Sequence, residues 1–273
     1  MQELTLKELQ QVSLDILKDV HAFCVKNNIT YSIAYGTLIG ALRHKGFIPW
    51  DDDVDIVMPR PDFERFCKEY QSDKMRLIYY GNDRTALAAF ARVVECEKTD
   101  YQTERPWTVQ PSGIWIDIFP LDGVVNQEEY SCRYKNLKRI SWLVYKFRRQ
   151  NHHIVSSDSM WSWTKTYIAK FIGINGWLPF FLLKSIVSKM KKYKYEDCDY
   201  YGQMSCLDDG PIMFSKEDFR DTVLLNFENT KFRAMCGYDK VLRQLYGDYM
   251  QMPPENKRTP KQYWIHFFWK KNK

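Results

Sequence analysis

YGTLIGALRHKGFIPWDDDVDIVMPRPDFERF, residues 35–66, is the stretch on which the fold turns. Within it, Asp53-Val-Asp-Ile-Val-Met58 alternates polar and apolar residues as a half-buried strand does. Residues two apart on a strand project to the same side. Asp53 and Asp55 are therefore expected to point together, with Val54 and Ile56 entering a core on the other face. Upstream, TYSIAY (30–35) is short and β-prone, Gly36-Thr37 reads as a tight turn, and LIGALRHK (38–45) suits a short helix. A loop through Pro49 leads into the strand. Beyond it, Pro61 suits the first turn of a helix, with Phe63, Phe66, Cys67 and Tyr70 forming one apolar stripe.

Four carboxylates in five residues, Asp51, Asp52, Asp53 and Asp55, repel one another, and a fold rarely keeps them close without a cation. Two on one rigid strand make a good ligand pair for Mg²⁺ or Mn²⁺, hard ions that prefer oxygen and retain water or phosphate. Asp51 and Asp52 are expected to shape the loop or support the ligands from behind. An EF-hand does not fit: Ile56 stands where that loop needs Gly, and position twelve counted from Asp51 is Asp62, not Glu. An acidic run is commonly just a solvated loop or a helix cap. Here the strand pattern, the Gly-Thr turn before it and a third lone carboxylate, Asp117 in GIWIDIF (113–119), argue for a site.

Working outward, Thr5 and Glu8 have the spacing of a capping box. Leu9, Val12, Ile16, Val20 and Cys24 then recur at helical spacing, predicting a helix over 5–26. Further strands are expected at 76–80, 89–95 and 113–119. Residues 127–149 and 160–195 read as helical, the second interrupted by the uncharged window Phe171–Leu183. That window is shorter than the ~20 residues a spanning helix needs. With the neighbouring lysines it suits either a buried element or a membrane surface. Tyr238–Met250 is a last helix candidate, followed by a tail bearing Trp264, His266, Phe267, Phe268 and Trp269.

Composition narrows the options. The aromatic share is 16%, enough to fill a core and still line a pocket. Net charge is +6, mild and dispersed, which suits anionic partners and gives no concentrated groove for nucleic acid. The seven cysteines are scattered, without a CxxC pair, and read as reduced thiols. The N-terminal residues lack the basic start and apolar stretch of a signal peptide, so a cytoplasmic protein is expected.

Gly36-Thr37, Asp53-Val54-Asp55-Ile56 and Ile116-Asp117-Ile118 resemble, in order, the signature of the nucleotidyltransferase superfamily. The longer stretch 35–66, together with GIWIDIFPLD (113–122), NFENTKF (226–232) and YDKVLRQLYGDYMQMPP (238–254), resembles the LicD family. The resemblance covers roughly residues 1–255 and is weakest over 125–215. It implies an α+β fold: a nucleotidyltransferase-like mixed sheet with flanking helices, plus a mainly helical, aromatic-rich second half. The expected division is a catalytic core over 1–125 and a packed helical lobe over 126–273.

Bacterial members are similar to enzymes that transfer phosphocholine from CDP-choline to teichoic acid or other surface polysaccharides. The fukutin group, more distant, transfers ribitol phosphate from a CDP carrier. Carried onto this chain, the resemblance makes Asp53 and Asp55 metal ligands and Asp117 a third ligand or the base for the acceptor hydroxyl. The metal is expected to be Mg²⁺ or Mn²⁺, with no organic cofactor. Gly36 lets the backbone approach a phosphate and the helix after it attracts anions. Thr37 shares that turn, and Arg43, His44 and Lys45 offer charge to the donor. Trp50, Trp107 and Trp115 could cage a quaternary ammonium or pack a core. His266 lies among aromatic residues with either a catalytic or a structural role. Expected partners are a CDP-alcohol and a glycan acceptor, lipid-linked at the inner face of the plasma membrane. Glycerol or ribitol phosphate transfer and nucleotidyl transfer stay open. A non-catalytic scaffold is disfavoured because all three carboxylates are present.

Overall fold

Thr5 and Glu8 do cap the first helix: the Thr5 hydroxyl accepts from the Glu8 N–H at 3.3 Å, and the Glu8 carboxylate accepts from the Thr5 N–H at 2.8 Å. This computed structural model describes residues 2–83, 86, 88–103, 112–150, 177–206, 212–260 and 264–271. In chain order the elements are β1 (Gln2–Glu3), α1 (Leu6–Lys26), β2 (Ser32–Ile33), α2 (Tyr35–Arg43), β3 (Asp55–Pro59) and α3 (Arg60–Glu69). Then come β4 (Arg76–Ile78), β5 (Ala91–Glu95), β6 (Thr99–Thr103), β7 (Ile114–Val124), α4 (Gln127–Gln150) and α5 (Trp177–Met190). The last are β8 (Tyr200–Gln203), β9 (Met213–Ser215), β10 (Thr222–Phe227), β11 (Thr230–Met235), α6 (Tyr238–Tyr246) and β12 (Ile265–Trp269).

The main sheet is mixed, in the order β2-β3-β7-β5-β4, with β8 joining β7 and β9 joining β8. Only β3 and β7 run parallel in it; the other pairs are antiparallel. The strand expected to end at Phe119 continues to Val124 through Pro120. A proline lacks the N–H a ladder needs, and β7 places it where none is required. On that edge β5 pairs with residues 114–118 and β8 with 121–124, so Pro120 falls in the gap between two partners. β3 starts at Asp55 rather than at Asp53, although Val54 already accepts from the Asp117 N–H at 3.0 Å.

Both faces of the sheet are covered. Ile56, Met58, Ile116 and Ile118 face Val12, Ile16, Leu17 and Val20 of α1 and Phe63 and Phe66 of α3 in the largest core cluster. Val57, Phe119 and Leu121 face the other way, packing with Phe214, Phe219 and Val241. A third cluster joins Tyr130, Tyr134 and Leu137 of α4 to Leu183, Ile186 and Val187 of α5.

Beyond residue 126 the described chain is helical over α4 and α5 and then returns to strand. β8 and β9 extend the main sheet. The β10–β11 hairpin sends Phe227 and Phe232 into the largest core, and β12 pairs with β1 and β6. Burial explains the return: Phe232 and Ile265 join a core cluster built largely from the first half of the chain. The expected helical stretch 160–195 and the Phe171–Leu183 window are described only from residue 177 onward, as α5, and their earlier residues lie outside the described residues. Among the described residues no helix is long and apolar enough to cross a membrane. Cys24, Cys67, Cys96, Cys132, Cys198 and Cys236 carry free thiols.

His21 is part-buried, its Nδ1 2.6 Å from the Tyr31 hydroxyl and its ring edge-on to Phe232. Burial, then the nearby Arg233, lowers its pKa from the usual 6.5. Burial and Arg43 lower that of His44 in the same way. The unfolded chain therefore binds more protons just below pH 6.5, and stability falls as pH drops through that value. Urea unfolding should show a lower midpoint at about pH 5 than at about pH 7. A His21→Asn chain should show a smaller fall, and an unchanged fall would remove His21 as a cause.

Candidate active site

The site begins where β2 hands over to α2. Ala34 N–H donates to the Asp55 carbonyl at 3.0 Å, carrying the β2–β3 ladder one residue further. Tyr35 then turns the chain with φ of 49°, a left-handed conformation that costs a non-glycine residue about 1–3 kcal/mol and gathers at functional sites. Burial, then neighbouring Asp55, pushes the Tyr35 phenol well above its ordinary range, so it stays protonated beside the carboxylates. Thr37 Oγ1 accepts the Asp55 N–H at 3.0 Å. Gly36 and Thr37, expected as a tight turn before the helix, lie inside the first turn of α2, and from there Thr37 fixes the first residue of β3 directly.

Gly36 has a second role. A Cβ there would stand 2.7 Å from Asp51 Oδ2, so the buried Asp51 carboxylate rests against the start of α2 only because residue 36 has no side chain. Gly36→Ala should displace Asp51 and lower turnover roughly 10- to 100-fold, as loss of an outer support to a metal site does, with little change in melting temperature. Full activity in that variant would separate Asp51 from the site.

The loop carrying the carboxylates is held from three directions. Gln10 of α1 donates to the carbonyls of Ile48 and Asp51 at 3.3 and 2.9 Å. Glu228, at the β10–β11 turn, accepts from Phe47 N–H at 3.0 Å and donates its own N–H to the Lys45 carbonyl at 2.7 Å. Arg43 donates Nη1 to the carbonyls of Tyr249 and Gln251 at 2.9 and 3.1 Å. Lys45 Nζ donates to the Leu42 carbonyl. Arg43 and Lys45 therefore anchor the loop and the C-terminal segment in this structure.

At the centre, Asp55 and Asp117 are in-register partners on parallel strands, with backbones about 4.8 Å apart. Both share strand parity with Val57 and Phe119, and Asp53 lies two residues before β3. Asp53 is also close enough to raise the pKa of Asp117. Burial is the first cause of that raised pKa, and Arg92 opposes it. Arg92, the cross-strand neighbour of Asp117 on β5, donates Nε to it at 2.6 Å. Asp51, Asp52 and Asp53 each offer a carboxylate oxygen within 4.8 Å of the others. Asp53 Oδ1 is buried with no hydrogen-bond partner among the described residues. A buried carboxylate oxygen left unpaired is costly, and a divalent cation is the partner this donor set fits.

Arg92, Gln10 and Glu228 were not legible as site residues. Glu228 lies inside NFENTKF and that stretch was the only available hint; the other two required the tertiary pairing. Among the described residues, Trp50 and Trp115 have different neighbours. Trp115 is buried against Phe267, with Arg92 over its ring at 5.1 Å. Trp50 is edge-on to His44, with Arg258 over it at 5.7 Å. Trp107 lies outside the described residues. His266 sits on β12, paired through Nδ1 with Glu3 at 2.8 Å, in the three-stranded sheet rather than among the carboxylates.

Comparison with known proteins agrees with this geometry. Residues 28–180 match the LicD/FKTN/FKRP nucleotidyltransferase domain, a span that holds the turn, the acidic loop, β3 and β7. Lipopolysaccharide cholinephosphotransferase LicD of Haemophilus influenzae is 35% identical over 273 residues, covering 95% of this chain and 97% of that protein. An uncharacterized protein of Rickettsia typhi is 48% identical over 58 residues, 21% of this chain and 19% of its own length. The chain therefore belongs to the LicD/FKTN/FKRP nucleotidyltransferase-domain family.

Proposed function

We propose that this chain transfers phosphocholine from CDP-choline to a hydroxyl of a cell-surface glycan, releasing CMP. Transferase activity follows from family membership and from likeness over nearly the whole length to an enzyme named a lipopolysaccharide cholinephosphotransferase. That name favours a lipopolysaccharide precursor over teichoic acid or capsule as acceptor. The observation that carries the reading is the pairing of Asp55 and Asp117 across parallel strands with Asp53 near them, its Oδ1 lacking a partner among the described residues.

Asp53 and Asp55 would hold Mg²⁺ or Mn²⁺, with Asp51 and Asp52 within reach of the same ion. When bound, such an ion neutralises a diphosphate and polarises its phosphoryl oxygens. Gly36 and Thr37 give the donor phosphates a close backbone approach at the start of α2, and Arg43 and Lys45 place positive charge at its end. The acceptor hydroxyl attacks the phosphorus that bears choline. Its oxygen forms the new P–O bond, the P–O bond to CMP breaks, and the bridging electron pair leaves with CMP. Asp117 accepts the hydroxyl proton, burial having made its carboxylate more basic than an exposed one. Arg92 donates Nε to Asp117 and orients it.

The test is CMP release from CDP-choline with Mg²⁺ or Mn²⁺ and a crude surface-glycan acceptor, comparing the wild-type chain with Asp55→Ala. Metal-dependent release that vanishes in the variant supports the proposal. Turnover with CDP-glycerol or CDP-ribitol alone keeps the chemistry and replaces choline. Pyrophosphate release from a nucleoside triphosphate would mean nucleotidyl transfer instead.

A further inference from the structure

A cleft of about 630 Å³ lies between α4 and α5, lined by Arg133, Arg139, Lys189 and Lys192 with one opposing carboxylate, Glu129. Leu137 and Ile140 add apolar lining. Arg133 donates to the Gly123 carbonyl at 2.8 Å, and Gly123 is six residues along β7 from Asp117, roughly 20 Å at strand spacing.

Arg133 is 7% exposed, yet its Nε has no hydrogen-bond partner among the described residues. Its Nη atoms are pinned by the carbonyls of Met190 and Gly123. A buried guanidinium fixed this way, with one donor unmet, is poised for an anion. Glu129 is shared between Arg133 at 3.4 Å and Lys192 at 3.2 Å, leaving a surplus of positive charge. On the same helix as Lys189, Phe181 is 55% exposed and Lys184 lies over the Phe180 ring at 4.6 Å. Lys191 and Lys194 are exposed just beyond α5. Exposed aromatic surface beside a lysine cluster is the pattern of a membrane interface.

We infer that the α4–α5 cleft binds the phosphate headgroup of an anionic phospholipid and seats the protein on a bilayer surface. Charge complementarity selects this occupant: four cations line the cleft against one carboxylate, and apolar side chains in its lining and on α5 suit the headgroup boundary. The inference goes beyond the proposed transfer reaction, and its test needs no turnover. A silent donor assay would leave it standing, and a failed vesicle assay would leave the transfer reaction standing.

The experiment is sedimentation of the whole chain with vesicles of phosphatidylcholine, with and without phosphatidylglycerol. Each Lys or Arg at an anionic surface contributes about fivefold in affinity. Arg139→Glu with Lys189→Glu should therefore weaken binding to phosphatidylglycerol vesicles by at least about 25-fold. CMP release on a soluble acceptor and the melting temperature should be unchanged. Lys26→Glu with Lys68→Glu alters net charge equally at exposed positions on α1 and α3, and should bind nearly as the wild type. Equal binding to neutral and anionic vesicles overturns the inference. So does an equal loss in the two double variants, which would mean bulk charge alone. Saturable retention of inorganic phosphate without any vesicle preference would also overturn it in favour of a soluble ligand.

Discussion

Asp53→Asn is expected to lower metal-dependent CMP release about a thousandfold, the several kcal/mol of transition-state charge stabilisation that a catalytic metal supplies. The reasoning rests on electrostatics. Asp53 stands near Asp117 and among Asp51 and Asp52, with one buried oxygen unpaired. Such crowding raises the energy of the metal-free fold, so removing one charge should leave the melting temperature unchanged or slightly higher without metal. The same variant should lose the stabilisation that added Mn²⁺ gives the wild type, because a ligand that binds only the folded state raises its stability. Opposite responses, lost activity and kept stability, mark a binding group rather than a structural one. Wild-type turnover in Asp53→Asn would exclude it as a ligand. Asp52→Asn decides which set of carboxylates holds the ion. A loss under about tenfold points to Asp53 and Asp55 with Asp117, and a loss as deep as that of Asp53→Asn points to the loop trio.

The largest effect on stability is expected at the other end of the same strands. Arg60, opening α3, meets Asp122 of β7 through two hydrogen bonds of 2.7 Å, Nε to Oδ1 and Nη2 to Oδ2. Their side chains are 7% and 1% exposed. Removing one member leaves the other charge buried and uncompensated, at a cost of about 3–5 kcal/mol. Asp122→Ala should therefore lower the urea midpoint far more than any surface change. Arg60 Nη1 already lacks a partner among the described residues, so the pair is incompletely satisfied. The double change Arg60→Met with Asp122→Leu should accordingly be less destabilising than either Asp122→Ala or Arg60→Ala alone. If the double variant is as unstable as the sum of the singles, the pair is more than a mutual cancellation of charge.

Local pattern was enough for several elements. The Thr5–Glu8 cap, the apolar spacing through Cys24 and the alternation from Asp53 each depend on neighbours within a few positions, and each appears close to where that pattern places it. Failure came where an element depends on a distant partner. Nothing near Arg92 distinguishes it from another strand arginine until β5 registers beside β7 and brings it to Asp117. Residues 113–119 did not reveal that their strand passes through Pro120, because a proline is tolerated there only by the arrangement of β5 and β8. Asp53 pairs through no strand of its own, so β3 begins two residues late, leaving the acidic residues before it in a loop that folds around Gly36. Trp115, one of the three tryptophans that could cage a quaternary ammonium or pack a core, packs against Phe267 of β12. Composition counts rings and says nothing of which face each one spends.

The three ties on the acidic loop also have a consequence in time. Gln10 is available early, but Glu228 and the carbonyls of Tyr249 and Gln251 come from the far end of the chain. During synthesis, then, the loop emerges with its carboxylates and waits for most of the polypeptide before two of its three moorings exist. A nascent chain holding the whole acidic motif still has an unset centre. Competence arrives only when the last quarter of the sequence folds back over the first.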